Sequence, residues 1–419
     1  MSVLPFFPQI VRSFSADSIP RRMAVIALVF VSLSCEAGDS QAEDGSAERV
    51  RFATFNSSLH RQQAGELVQN LKAGDDRQAQ RIAEIIQTVR PDVLLMNEFD
   101  YDEQGEACRQ FREKYLAIEH NGKKPIEYPF FFVAPVNTGV PSGLDFNRDG
   151  KTDGPEDAFG FGRYPGQYGM VLFSKFPIER DAVRTFQKFL WTDMPGAELP
   201  KDPQTGQPYY EKQVLSRFRL SSKSHWDIPI SIGGKRIHVL AAHPTPPAFD
   251  GPEHRNRLRN HDEIRLWADY LSPAKSGYLY DDKGQRGGLD GRAEFVILGD
   301  YNADPLDGTS HDRAILQLLE HPRVRKSSPP TSRGGVEAST ENPKQNSNHN
   351  GKPENDTAFF SSPNGPGNLR IDYVLVSKGL EPVGSGVFWP KKDEPGAELV
   401  TASDHRLVYV DLAISSGNE

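Results

Sequence analysis

Asp300 and Asn302 follow the apolar run Phe295-Val296-Ile297-Leu298-Gly299, and this is the clearest sign of chemistry in the chain. Alternate side chains of an extended segment point the same way, so a carboxylate and a carboxamide stand together at a strand end. The carboxylate can hold or activate a water, and the carboxamide can donate to an oxyanion. Alone, such a pair is the composition of an ordinary turn. The same design recurs elsewhere in the chain. Val50 to Phe55 ends at Asn56, and Asp92 to Met96 ends at Asn97-Glu98. Ile237 to Ala242 ends at His243, Arg370 to Val376 carries Asp372 within its apolar run, and Asp404-His405 precede Leu407 to Leu412. Strands that each deliver Asn, Asp, Glu or His to a terminus imply one shared polar site at the edge of a sheet core. Asp372 carries special weight, because a carboxylate inside a buried strand is costly unless it is paired.

Taken in order, Asn56, Glu98, His243, Asp300-x-Asn302, Asp372 and Asp404-His405 resemble the endonuclease/exonuclease/phosphatase superfamily over residues 47 to 414. The resemblance implies an α+β fold: a four-layer α/β/β/α sandwich of two packed mixed sheets with covering helices. It also implies metal-assisted attack of water on a phosphate ester, since an anionic ester repels nucleophiles until a cation neutralises it. Glu98 is the first choice of metal ligand, with Asn56 beside it and Asp404 as a second carboxylate; hard oxygen ligands of this kind suit Mg2+ or Mn2+. Asp300 orients or deprotonates the water, Asn302 steadies the developing charge, His243 and His405 bind phosphoryl oxygens or shuttle protons, and Asp372 orients His405.

The 419 residues could hold two domains by length, but the motifs run from end to end, so a single enzyme domain over 49–414 is expected. Insertions are expected near 101–165, 186–227 and 321–366. The net charge of −8, from 49 basic and 57 acidic residues, provides no global field for nucleic acid and counts against a processive nuclease. A phosphate-ester substrate is still expected, with a secreted nuclease as the favoured reading. A phosphomonoesterase or phospholipid phosphodiesterase on the same fold is the alternative, and an inactive binding module a further one. No stable protein partner is implied, and a monomer is expected. Arg21-Arg22 before the apolar run Met23 to Val31 reads as an export signal ending near Cys35, followed by an acidic linker over 36–48. Lipid anchoring through Cys35 is an open alternative. Cys108 is the only other cysteine, so no intrachain disulfide can form once the signal is removed.

Between the motifs, Gln78 to Val89 has helical spacing and Pro91 ends it; Asp262 to Leu271 gives a second covering helix. Residues 327–366 lack periodicity and read as a surface insertion. Arg255 and Arg257 lie in a locally basic stretch that either contacts flanking phosphates or forms the start of a helix. Trp191, Tyr209, Tyr210 and Trp226 either stack on substrate or pack in the core, the core being expected for at least two. Finally, Asp145-Phe146-Asn147-Arg148-Asp149-Gly150-Lys151-Thr152-Asp153-Gly154-Pro155-Glu156 matches the calcium-loop pattern at every specified position. Asp145, Asn147, Asp149, the Lys151 carbonyl, Asp153 through water and Glu156 would bind Ca2+, without the usual flanking helices.

Overall fold

The computed structural model describes residues 47–415; the signal segment, Cys35 and the linker up to residue 46 lie outside them. Two sheets carry the motifs. The first runs β12 (Glu381–Val387), β13 (Val408–Ile414), β1 (Glu48–Asn56), β2 (Val93–Asn97), β4 (Met170–Ser174), β3 (Phe130–Phe132). The second runs β11 (Asp372–Val376), β8 (Glu294–Asp300), β7 (Lys235–Ala242), β6 (His225–Ile232), β5 (Arg184–Thr185). Both are mixed: β1 pairs in parallel with β2 and β7 with β8, while their other neighbours are antiparallel.

The apolar runs are continuous because both faces of each sheet are covered. Val93 and Leu95 of β2 face inward and meet Val239, Val296 and Leu298 of the opposite sheet. Leu94 and Met96 face outward against Ile82, Ile86 and Val89 of the Arg77–Val89 helix. Phe295 and Ile297 of β8 face outward against Ile264 and Trp267 of the Arg255–Tyr270 helix. Each such side chain contributes about 1.5–3 kcal/mol by leaving water. Helix, sheet, sheet and helix thus form the expected four layers.

The Arg77–Val89 helix starts where Asp76 accepts the Ala79 N–H at 2.8 Å, and it ends at Arg90, which is left-handed with φ 57. The second helix begins earlier than its apolar spacing indicates. The Asp250 carboxylate accepts the N–H groups of Asn256 and Arg257, so the basic stretch forms the first turns of that helix. Residues 327–366 are also more ordered than their composition suggests, holding an Arg333–Glu341 helix and β9 (Ala358–Phe360), which pairs with β10 (Gly367–Leu369) just beyond them. Buried Gly334 explains why periodicity missed the helix: a Cβ there would lie 2.3 Å from the Trp389 ring.

Candidate active site

Parallel pairing sets Asn56 opposite Asn97 at the ends of β1 and β2, and antiparallel pairing sets Asp300 opposite Asp372 on β8 and β11. The two sheets meet here through Asn97. Its Oδ1 accepts the Asp300 N–H at 3.3 Å and faces the Thr54 hydroxyl at 3.4 Å. Gly299 permits the close approach of β8 to the end of β7, since a Cβ there would lie 2.1 Å from the Ala242 carbonyl oxygen.

Asp300 is the hub. Its Oδ2 accepts from Asn56 Nδ2 at 3.0 Å and lies 3.4 Å from His243 Nε2 and 3.6 Å from His405 Nε2. Its Oδ1 accepts the Asn302 N–H at 2.9 Å. The same Asn56 Nδ2 reaches Glu98 Oε1 at 3.2 Å, so two carboxylates converge on one carboxamide. On the far side, His405 Nδ1 lies 2.9 Å from Asp372 Oδ2, which also accepts the Thr357 hydroxyl at 2.8 Å. Glu98 and Asn302 both have left-handed backbones, with φ 56 and 53, of the strained kind that gathers at functional sites. The Asn302 carboxamide donates to the Pro244 carbonyl at 3.1 Å and borders the cleft.

Electrostatics divide the two imidazoles. Burial disfavours the charged form of His405, but Asp372 and Asp300 outweigh it and raise its pKa. His243 is lowered, by burial and then by Lys223, and its Nδ1 has no partner. Burial likewise opposes ionisation of Asp300, yet His405 and His243 overcome it and hold the carboxylate ionised. One imidazole is therefore held cationic and the other neutral around a single anion.

Asp300, Asp372 and His405 form the one acid-and-imidazole cluster among the described residues whose ligand atoms lie within 4.8 Å of one another. His405 Nδ1 is already engaged with Asp372, which makes this a proton-sharing chain more than a metal cage. The hard-oxygen carboxylates of Glu98 and Asp300, bridged by Asn56 Nδ2, fit a divalent cation of the magnesium type better. Asp404 lies exposed at the rim, accepting the Ser58 hydroxyl at 3.3 Å, and makes no hydrogen bond to that set.

Arg255 borders the cleft but sits 3.3 Å from Glu253. Arg257 does not border the cleft and pairs with Asp250 at 3.1 Å, the arrangement of the helix-start alternative among the two read from sequence. Trp191 and Trp226 are fully buried core residues, while Tyr210 reaches the cleft. The calcium-like loop is tied by its own backbone. Asp145 Oδ2 accepts from Gly150 N at 2.8 Å, Asn147 Oδ1 from Asp149 N at 3.1 Å and Asp149 Oδ1 from Lys151 N at 2.9 Å. Only the Pro155–Asp157 turn of 3-10 helix adjoins it; Asp153 is exposed, and Glu156 borders the cleft.

Sequence reasoning missed three residues as parts of the site. Lys223 lies in a loop that none of the motifs marks. It is buried and borders the cleft, where burial lowers its pKa against the opposing charges of Glu98, Glu263 and Asp300. His60 Nε2 sits 3.5 Å from Glu98 Oε2, with its ring 4.5 Å from that of Tyr168. Fully buried Glu263 accepts the Ser222 and Thr245 N–H groups, both at 2.6 Å, and so ties the Lys223 loop to the His243 loop. Only His60, four residues after Asn56, had a signal close to a motif.

The family model described as Endonuclease/Exonuclease/phosphatase family matches residues 53–405. Similar solved structures include the endonuclease/exonuclease/phosphatase from Beutenbergia cavernae DSM 12333, 17% identical with a TM-score of 0.47, covering 88% of this chain and 72% of that one. A family protein from Bacteroides thetaiotaomicron is 12% identical with a TM-score of 0.44, over 88% and 99%. Sphingomyelinase C from Streptomyces griseocarneus is 14% identical with a TM-score of 0.41, over 87% and 99%. No curated protein sequence matches the chain. With the family model spanning the whole strand-end constellation from β1 to His405, this chain belongs to the endonuclease/exonuclease/phosphatase family and is a metal-dependent hydrolase of phosphoric ester bonds.

Proposed function

We propose that this hydrolase is an exported phosphodiesterase, cutting a singly charged phosphodiester by attack of water. The observation that carries the reading is Asp300, whose one carboxylate is aligned by Asn56, His243 and His405 beside Glu98. The Glu98 and Asp300 carboxylates, held beside each other by Asn56 Nδ2, would hold the divalent cation, which when bound supplies charge neutralisation at the phosphoryl group. Asp300, kept ionised, orients the water and takes part of its proton. Cationic His405, braced by Asp372, faces the charge that develops on phosphorus oxygens. Burial disfavours the charged form of Lys223 at the cleft, against the pull of Glu98, Glu263 and Asp300. The site therefore offers limited positive charge, which suits a monoanionic diester better than a dianionic monoester.

The rim weakens the nuclease reading, because Glu156, Asp304, Asp307 and Asp404 border the cleft while Arg255 and Arg257 are paired with carboxylates. A long polyanion needs a cationic track for its flanking phosphates. Export is supported by Arg21-Arg22 and the apolar run after them.

The test uses the purified full chain with bis(p-nitrophenyl) phosphate and p-nitrophenyl phosphate, with Mg2+ or Mn2+ and with excess chelator. Diester hydrolysis that needs the metal and exceeds monoester hydrolysis is the expected result. Turnover undiminished in chelator, or a preference for the monoester, would overturn the reading.

A further inference from the structure

The cleft around Asp300 is lined by more than the polar groups described above. The cavity measures about 860 Å³, and much of its remaining wall is apolar, including Phe146, Phe161, Tyr210, Phe218, Phe249 and Phe360. None of these belongs to a strand-end motif. Phe146 and Phe161 come from the segment between β3 and β4, Tyr210 and Phe218 from that between β5 and β6, Phe249 from the loop after β7, and Phe360 from β9. Four separate pieces of chain thus bring aromatic rings to the cleft that holds the catalytic carboxylate.

Two of these rings gain little from folding. Phe249 is 89% exposed and Phe161 53%. The Phe249 backbone is left-handed at φ 57, a conformation that costs a non-glycine residue about 1–2 kcal/mol. Its loop is nonetheless firmly held: Pro246 and Pro247 precede it, Asn256 Nδ2 donates to the Ala248 carbonyl at 2.8 Å, and the Asp250 carboxylate caps the helix that follows. A fixed, strained loop that presents a large ring to water at the mouth of an active site requires an explanation outside the fold. The cations explain what kind of group it meets. Arg255 is paired with Glu253, and Arg259 donates to the carbonyls of Leu220, Phe159 and Arg219, so both are engaged within the protein. The apolar side therefore offers packing area and little charge.

We infer that the cleft is shaped for a phosphodiester with one bulky apolar ester group, aryl or long alkyl, packed against Phe249 and Phe161 while its phosphorus sits at Asp300. This rests on the phosphodiesterase reading above and adds the substrate's chemical class. Removal of the ester's apolar surface from water by the two rings supplies the discrimination.

A series of p-nitrophenyl diesters with one common leaving group tests it, the second ester being methyl, phenyl, octyl or 5′-thymidine. Wild-type kcat/KM is expected to be about 100-fold higher for the phenyl or octyl ester than for the methyl ester. In the Phe161→Ser, Phe249→Ser double variant that ratio is expected to fall at least about tenfold. Both positions are surface-exposed, and an unchanged melting temperature checks that the variant is folded. Equal kcat/KM across methyl, phenyl and octyl overturns the inference, as does a ratio that survives the double substitution. In either case, hydrolysis of the methyl diester leaves the phosphodiesterase reading standing. A preference for the thymidine ester over all others overturns it in favour of nucleoside recognition. No turnover of any diester overturns the underlying reading and this one with it.

Discussion

Two carboxylate–imidazole pairs have nearly the same separation, and only one belongs to the site. His405 Nδ1 lies 2.9 Å from Asp372 Oδ2; His238 Nδ1 on β7 lies 2.7 Å from Asp227 Oδ1 on β6. Beyond His405 the chain of groups continues to Asp300, Asn56 and Glu98. The second oxygen of Asp227 instead accepts the Tyr270 hydroxyl, within a network that includes Arg184 and Asp281. An Asp–His pair is therefore not a site in itself. What makes the first pair chemical is a third charge placed across the imidazole, in a cleft that solvent and substrate reach. The second pair closes on core hydroxyl and guanidinium groups and serves the fold.

Breaking the two pairs should separate them sharply. Asp300→Ala and His405→Ala are each expected to lower kcat/KM for a diester by about 10³–10⁴-fold. The double change should add far less than the sum of the two losses, because both groups serve one transition state. His238→Ala should leave turnover within about twofold and lower stability by about 1 kcal/mol. Free energies that simply add for Asp300 and His405, or a large activity loss at His238, would erase the distinction.

Glu98→Gln comes next in size. It keeps shape and removes a charge from the hard-oxygen set, so activity should fall by about two orders of magnitude with an unchanged melting temperature. The concentration of Mg2+ or Mn2+ needed for half-maximal activity should rise. An unchanged metal requirement would place the cation elsewhere.

A buried histidine away from both pairs sharpens the contrast between structural and catalytic imidazoles. His225 contacts the Ser221 hydroxyl and the Glu263 carbonyl, and burial lowers its pKa from 6.5 to about 4. The folded form therefore binds fewer protons than the unfolded chain between those values. The contribution of His225 is full above pH 6.5 and declines as pH falls toward 4, with a slope of at most about 1.4 kcal/mol per pH unit. Melting temperatures of His225→Gln should fall less steeply over that range than those of wild type; parallel curves would remove this role.

The smallest expected effect concerns the 145–156 loop. Millimolar Ca2+ should raise the melting temperature by a few degrees, about 1 kcal/mol of binding, and the Asp145→Ala, Asp149→Ala variant should lose that gain while keeping its dependence on the active-site metal. A wild-type titration without change in stability or protease resistance would leave the loop as a turn tied by its own carboxylates.

The residue types alone determined much. Alternation and apolar runs located β1, β2, β7, β8, β11 and β13, and their polar termini named Asn56, Glu98, His243, Asp300, Asp372 and His405. They were legible because a strand that leaves a buried sheet must change composition where it meets water, and that change is local. The family resemblance supplied the four layers. Lys223, His60 and Glu263 were less legible, because their significance depends on what lies across a gap. Lys223 belongs to the cleft only because packing brings its loop there, and Glu263 organises two loops only after its helix docks. Arg257 went the other way: its basic neighbourhood suggested phosphate, but Asp250 reaches it first and starts a helix. The aromatic side of the cleft was decided by tertiary structure alone. Phe146, Phe218, Phe249 and Phe360 are scattered over more than 200 positions, and local sequence holds no record of which rings will face one another. Side chains so far apart in the chain meet only through the packing of the whole domain, which fixes contacts that no local pattern encodes.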